Sequence, residues 1–238
     1  MNQQEMQRVW ESEGLTLLST DSLSARTKIY QRLLYGDRWS SFVVSVLEEN
    51  PSTVPGSTAS FLETIDYERL GVEQRARTRN LRSVLARNCQ ALVNLIGADE
   101  HLELTRGFVN WTDFWVHKGR TLTENFCLYA YSHAVERGEL FTGKVAHLCG
   151  VMSGLRFAPS SPSPWTDVPA TRTLRFPMKG AIAAESFITD WQLIDRDGNL
   201  PSAANLAYVS SSKKQRIVVI YGIDGKIAIM SLDQEDEE

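Results

Sequence analysis

The stretch Arg216–Leu232, RIVVIYGIDGKIAIMSL, decides how the chain is read. Two apolar, β-branched runs flank Gly222-Ile223-Asp224-Gly225, whose glycines accept positive φ, and this is a strong β-hairpin signal. Working back from it, the period-two pattern predicts strands at 171–178, 182–194, 205–210, 215–221 and 226–232. Asp195-Arg196-Asp197-Gly198-Asn199 supplies a further turn.

Upstream of residue 157 the period is helical. Leu23, Ile29, Leu33 and Leu34 fit a helix over 20–35 that stops at Gly36, and Asp37 caps a second helix carrying Trp39, Phe42, Val43, Val46 and Leu47. NPSTVPGST at 50–58 reads as a turn. A long helix is predicted from Val72 to Ile96, with Gly97 after it. Thr121 and Glu124 make a Thr-x-x-Glu capping box, the clearest helix start in the chain. The helix it opens is apolar nearly all round and should be central; Gly138 ends it, and one more helix runs from Thr142 to Leu155. The small residues of Gly150-Val151-Met152-Ser153-Gly154 suit close helix packing.

The expected fold class is therefore α+β, an N-terminal helical bundle followed by a small antiparallel sheet of hairpins. The expected division is a helical domain over 1–157, a Pro/Ser-rich linker over 158–170, a β domain or subdomain over 171–232 and an acidic tail over 233–238. A hydrophobic share of 42% against 23% charged residues is that of a globular chain. No apolar run reaches the roughly 20 residues needed to span a bilayer. The polar start MNQQEMQRVW lacks the apolar core of a secretion signal. Cys89, Cys127 and Cys149 are an odd, sparse set, suited to buried thiols in a reducing compartment. The expectation is a cytoplasmic protein, or one acting inside a host cell after export without a cleaved signal.

Charge is distributed unevenly. Arg69, Arg75, Arg77, Arg79, Arg82 and Arg87 face a single acid, Glu73, in their stretch, whereas Asp233, Glu235, Asp236, Glu237 and Glu238 close the chain, so the net charge of −4 conceals a dipolar molecule. Arg75, Arg79 and Arg82 share one helical face, and guanidinium forks suit phosphate or carboxylate. A candidate basic binding face thus comprises Arg75, Arg77, Arg79, Arg82 and Arg87. Lys213, Lys214 and Arg216 form a second basic spot, and Trp111 with Trp115 is a candidate aromatic anchor.

Catalytic motifs are missing. His101, His117, His133 and His147 show no zinc spacing, there is no nucleophile elbow, and Gly-rich phosphate loops are absent. Asp113 and Glu124 flank an aromatic segment and Glu185 and Asp190 flank a strand; a buried pair of such acids can do acid–base work, although capping and surface roles account for most such residues. No catalytic residue, metal ligand or cofactor is assigned. The expected function is a non-enzymatic adaptor, assembly factor or regulator that binds a protein partner through a basic helical face and a β edge. The alternative is a nucleic-acid-binding protein that uses the Arg75–Arg87 helix for phosphates; third is an enzyme with dispersed catalytic residues. Homo-oligomerisation is compatible with all three.

Overall fold

The computed structural model describes residues 29–30, 33–49, 56–111, 121–161, 163–167, 174–194 and 214–233. The described elements are α1 (Asp37–Glu49), α2 (Gly56–Glu63), α3 (Tyr67–Asn88), α4 (Gln90–Val109), α5 (Leu122–Glu136) and α6 (Leu140–Phe157). A 3-10 turn (Pro164–Asp167) follows, then β1 (Leu174–Phe176), β2 (Ala181–Thr189), β3 (Gln215–Gly222) and β4 (Ile227–Asp233). Helices lead and an antiparallel sheet of order β1-β2-β3-β4 follows, so the fold is α+β.

The chain forms two compact units: Met1–Ser83 with Thr105–Phe114, and Val84–Leu104 with Trp115–Glu238. Helices α3 and α4 each contribute to both. In the first unit Ile29, Leu33, Leu34, Phe42, Val43, Leu62 and Leu70 make the core. Gln74 is buried among them, and its amide Nε2 donates to the Leu33 carbonyl and, at 2.6 Å, to Ser40 Oγ. One α3 side chain thereby satisfies carbonyl and hydroxyl groups around the break at Gly36.

In the second unit α5 and α6 pack together, and the inner face of the sheet lies on α6. The capping box at the start of α5 is complete: Glu124 N donates to Thr121 Oγ1 at 3.0 Å, and Thr121 N donates to Glu124 Oε2 at 2.9 Å. Thr123 through Leu128 are all buried, as an all-round apolar helix requires. Gly138 ends the helix with φ 74°. Gly150 and Gly154 are obligatory: a Cβ on the first would overlap Trp165, and one on the second would overlap Glu124 and Arg175. The β3–β4 hairpin closes as its sequence implies, with Gly225 at φ 77° and its N–H donating to the Gly222 carbonyl at 3.0 Å.

Several element boundaries differ from the sequence reading. The single helix expected over Val72–Ile96 is two helices that meet at Cys89; Gly97 (φ 84°, ψ 170°) does interrupt the helix after Ile96, as expected, but a further helical segment of α4 follows it directly. The helix resumes because His101, Leu104, Thr105 and Phe108 are buried and hold it in place. Gly56–Thr58 belong to α2, not to a turn. Strand β2 stops at Thr189, not at 194, because a side chain replaces the ladder. Gln215 Oε1 accepts from Leu193 N at 2.9 Å and Ile194 N at 3.3 Å, while its Nε2 donates to the Ile194 carbonyl at 3.0 Å. The expected strand at 205–210 and the turn at 195–199 lie outside the described residues.

Candidate binding surfaces and the buried polar frame

Helix α3 carries the arginines. Arg75, Arg77 and Arg79 are exposed in the first unit and Arg82 is half-buried. Arg77 leaves the shared face, with its guanidinium carbon 5.5 Å from the centre of the Tyr35 ring, a cation–π contact. Arg69 pairs with Glu73 at 3.7 Å. Arg75 and Arg79, one turn apart, make no ion pair among the described residues. Arg87 is exposed on the same helix, in the portion that belongs to the second unit. In the first unit Arg75 and Arg79 are thus exposed on one face of α3, with the half-buried Arg82 further along it.

The second basic spot is only partly described: Lys214 and Arg216 are exposed, and Lys213 lies outside the described residues. Trp111 is half-buried beside the buried Phe108, ring centres 6.3 Å apart; Trp115 is outside the described residues.

In the second unit the sheet has two unlike faces. Inward, Ala183, Glu185, Phe187 and Thr189 of β2 alternate with outward residues, as do Gln215, Ile217 and Val219 of β3. Outward, the register sets Leu174, Ser186, Val218 and Met230 in one row and Phe176, Ala184, Ile220 and Ala228 in the next. Leu174 is 65% exposed, Met230 48%, and Ile182, in the bulge between Ala181 and Ala183, 44%. Met230 and Ala228 sit on β4, which has no strand on its far side among the described residues. These two rows are apolar except at Ser186, Ala184 within them is buried, the neighbouring outward row holds the exposed Arg216, and the β4 edge offers backbone N–H and C=O groups.

Behind this sheet lies a polar cluster. Arg175 is almost fully buried: its Nε donates to Glu185 Oε2 at 2.8 Å and its Nη2 to Glu124 Oε1 at 3.3 Å. Its Nη1 donates to the carbonyls of Ala158 and Ser161 at 2.8 and 2.9 Å. Ser163 Oγ donates to Glu185 Oε1. Burial raises the Glu185 pKa, an effect opposed by Arg175 and Ser163 and reinforced by Glu124. Every nitrogen of the guanidinium and both carboxylates are engaged with protein partners. These contacts tie α5, the 158–163 segment and the sheet together.

Next to it, His147 on α6 packs against Trp165 and Phe187, with ring centres 4.5 and 4.4 Å away. Burial, with Lys144 adding to it, lowers the His147 pKa to about 3, so the ring is neutral at physiological pH. Lys144 Nζ in turn lies 3.6 Å from Asp190. Cys89, Cys127 and Cys149 are all buried, unbridged thiols. Among the described residues no group of histidine, cysteine and carboxylate side chains is arranged to hold a metal ion, and no helix is long and apolar enough to cross a membrane. His117 and Asp113 lie outside the described residues.

Sequence reasoning missed the outer sheet face, although a signal existed. Ile217, Val218, Val219, Ile220 and Tyr221 are apolar at every position rather than every second one, the pattern of a strand covered on both sides. It also missed Arg175, for which the signal was Glu185 at an inward strand position, since a carboxylate there requires a cation. No family model matches the chain, and comparison with curated proteins and with solved structures found no match.

Proposed function

We propose that this chain is a non-enzymatic protein-binding adaptor that takes a partner segment onto the sheet of its second unit. The observation that carries the reading is the pair of outward rows, apolar except at Ser186, exposed at Leu174 and Met230 and continuous with the open β4 strand. An extended segment added along β4 gains ladder hydrogen bonds from its backbone, and its outward side chains extend the rows that end at Met230 and Ala228. Removing Met230 and Leu174 from water supplies the non-directional part of the affinity. The engaged state of Arg175, Glu124 and Glu185 supports a binding role over a catalytic one.

A displayed library of random peptides selected on the purified chain tests this. Enriched sequences should alternate apolar residues, and binding should slow amide exchange within 227–233. No enrichment, or protection confined to other segments, would refute the reading. Ala228→Lys with Met230→Lys should abolish capture, because charges on an edge strand oppose added pairing.

A second reading rests on Arg75 and Arg79, exposed and without ion-pair partners among the described residues: this face attracts a polyanion, nucleic acid or an acidic protein segment. Titration of a labelled oligonucleotide at several salt concentrations tests it, since phosphate contacts produce a steep salt dependence.

A further inference from the structure

Three thiols from separate parts of the sequence meet inside the second unit. Cys89 fills the one-residue break between α3 and α4, Cys127 lies on α5 and Cys149 on α6. The sulfurs of Cys89 and Cys127 are 3.5 Å apart. Cys149 lies near enough to Cys89 for each thiol to shift the other's titration, which makes Cys89 the common neighbour of the other two. A disulfide requires an S–S distance near 2.05 Å, so the Cys89–Cys127 pair has about 1.5 Å to close, within reach of small χ changes.

We infer that Cys89 is the shared sulfur of a redox-sensitive staple, bridging to Cys127 on oxidation by a small peroxide and exchanging that bridge with Cys149. The chemistry balances with hydrogen peroxide as oxidant. Cys89 sulfur, as thiolate, attacks the O–O bond and releases one water as it becomes a sulfenic acid. Cys127 sulfur displaces the hydroxyl as a second water, so each thiol gives up one hydrogen and the peroxide is reduced to two waters. Cys149 can then attack the Cys89 sulfur of the bridge as its thiolate, and Cys127 leaves and takes up the proton. Burial limits this to small oxidants and makes it slow: the Cys89 pKa is raised first by Cys127, the Cys127 pKa first by loss of solvent, and the Cys149 pKa first by Cys89 and then by loss of solvent.

The bridge would have a defined mechanical effect. The segment Val84–Leu104 precedes the rest of the second unit in the chain, and Cys89 lies within it. A bond to Cys127 staples that segment to α5, and a bond to Cys149 staples it to α6. Oxidation therefore restrains the second unit against opening without altering either candidate binding surface, and the staple stands or falls independently of the proposed function.

The full-length chain, folded and treated with hydrogen peroxide, then denatured, alkylated and mapped by mass spectrometry without reduction, tests it. The expected product has lost the mass of two hydrogens and carries an intramolecular bridge that always includes Cys89. Cys127→Ser should redirect the bridge to Cys149, Cys149→Ser should leave Cys89–Cys127, and Cys89→Ser should prevent any bridge. A bulky disulfide reagent should leave all three thiols unmodified in the folded chain. Full alkylation of all three cysteines after peroxide, a Cys127–Cys149 bridge, or bridges only between chains would overturn the inference. The wild-type map alone distinguishes these results from the expected one, even where a serine variant fails to fold.

Discussion

Arg175 and Glu185 are direct cross-strand partners in the β1–β2 ladder, and the guanidinium Nε of one donates to the carboxylate Oε2 of the other at 2.8 Å with both side chains almost wholly buried. The same guanidinium reaches Glu124 on α5, so one side chain joins two sequence-distant carboxylates. Removing it would leave two buried acids facing each other. Arg175→Met should cost about 3–5 kcal/mol in denaturant unfolding, the range for breaking a buried ion pair. The double variant Arg175→Met with Glu185→Gln should recover a measurable part of that loss, because one uncompensated charge is gone. Equal losses in the single and double variants would show that shape, not charge, is what Arg175 supplies.

His147 sets a pH dependence of known sign. Its folded-state pKa is depressed to about 3 from an ordinary 6.5 by burial and then by Lys144, so the unfolded chain binds the proton more tightly. The neutral ring's contribution is complete above pH 6.5 and is lost as pH falls towards 3, at up to about 1.4 kcal/mol per pH unit. Glu185 acts in the opposite sense: its pKa is raised from 4.5 by burial, so its contribution declines as pH rises above 4.5. Comparing wild type with His147→Leu and with Glu185→Gln across pH 3 to 7.5 separates them. Subtracting the His147→Leu profile should leave a difference confined to the acid side of pH 6.5.

Three glycines of α6 should respond differently to the same substitution. Gly143→Ala would meet Tyr131 at 3.5 Å and Ala134 at 3.7 Å, ordinary contact distances, so it should be neutral or stabilising by up to about 1 kcal/mol through helix propensity. Gly150→Ala would overlap Trp165, and Gly154→Ala would overlap Glu124 and Arg175. Each should destabilise by about 1–3 kcal/mol, and by more if the ion pairs break. Thermal unfolding of the three single variants checks the order.

What could be read from the sequence was what is written locally. The capping box depends on residues three apart, Thr121 and Glu124, and the hairpin on adjacent turn residues, so both were legible. Thr121 and Glu124 identified a helix start; nothing near them indicated that Glu124 also receives a guanidinium from a residue 51 positions away. The break at Cys89 carries no glycine or proline, and β2 ends because the side chain of Gln215, far along the chain, takes over the backbone groups of Leu193 and Ile194. Helical spacing put Arg75, Arg79 and Arg82 on one face and Arg77 off it, but it could not show that the Arg77 guanidinium lies over Tyr35, a residue far back in the sequence.

Arg75 and Arg79 allow folding and recognition to be separated. Both are exposed and make no ion pair among the described residues, so Arg75→Glu with Arg79→Glu should leave unfolding free energy within about 0.5 kcal/mol of wild type for each site. If this face engages a polyanion, the same pair of changes should weaken binding of a labelled oligonucleotide and lower the slope of log affinity against log salt by about one unit for each arginine. Arg77→Ala should instead leave that slope unchanged and show a small loss of stability, because its guanidinium lies over Tyr35. Equal slopes for wild type and the double variant would assign any residual oligonucleotide binding to another part of the chain, and the partner of the second unit's sheet would then be the one ligand left to seek.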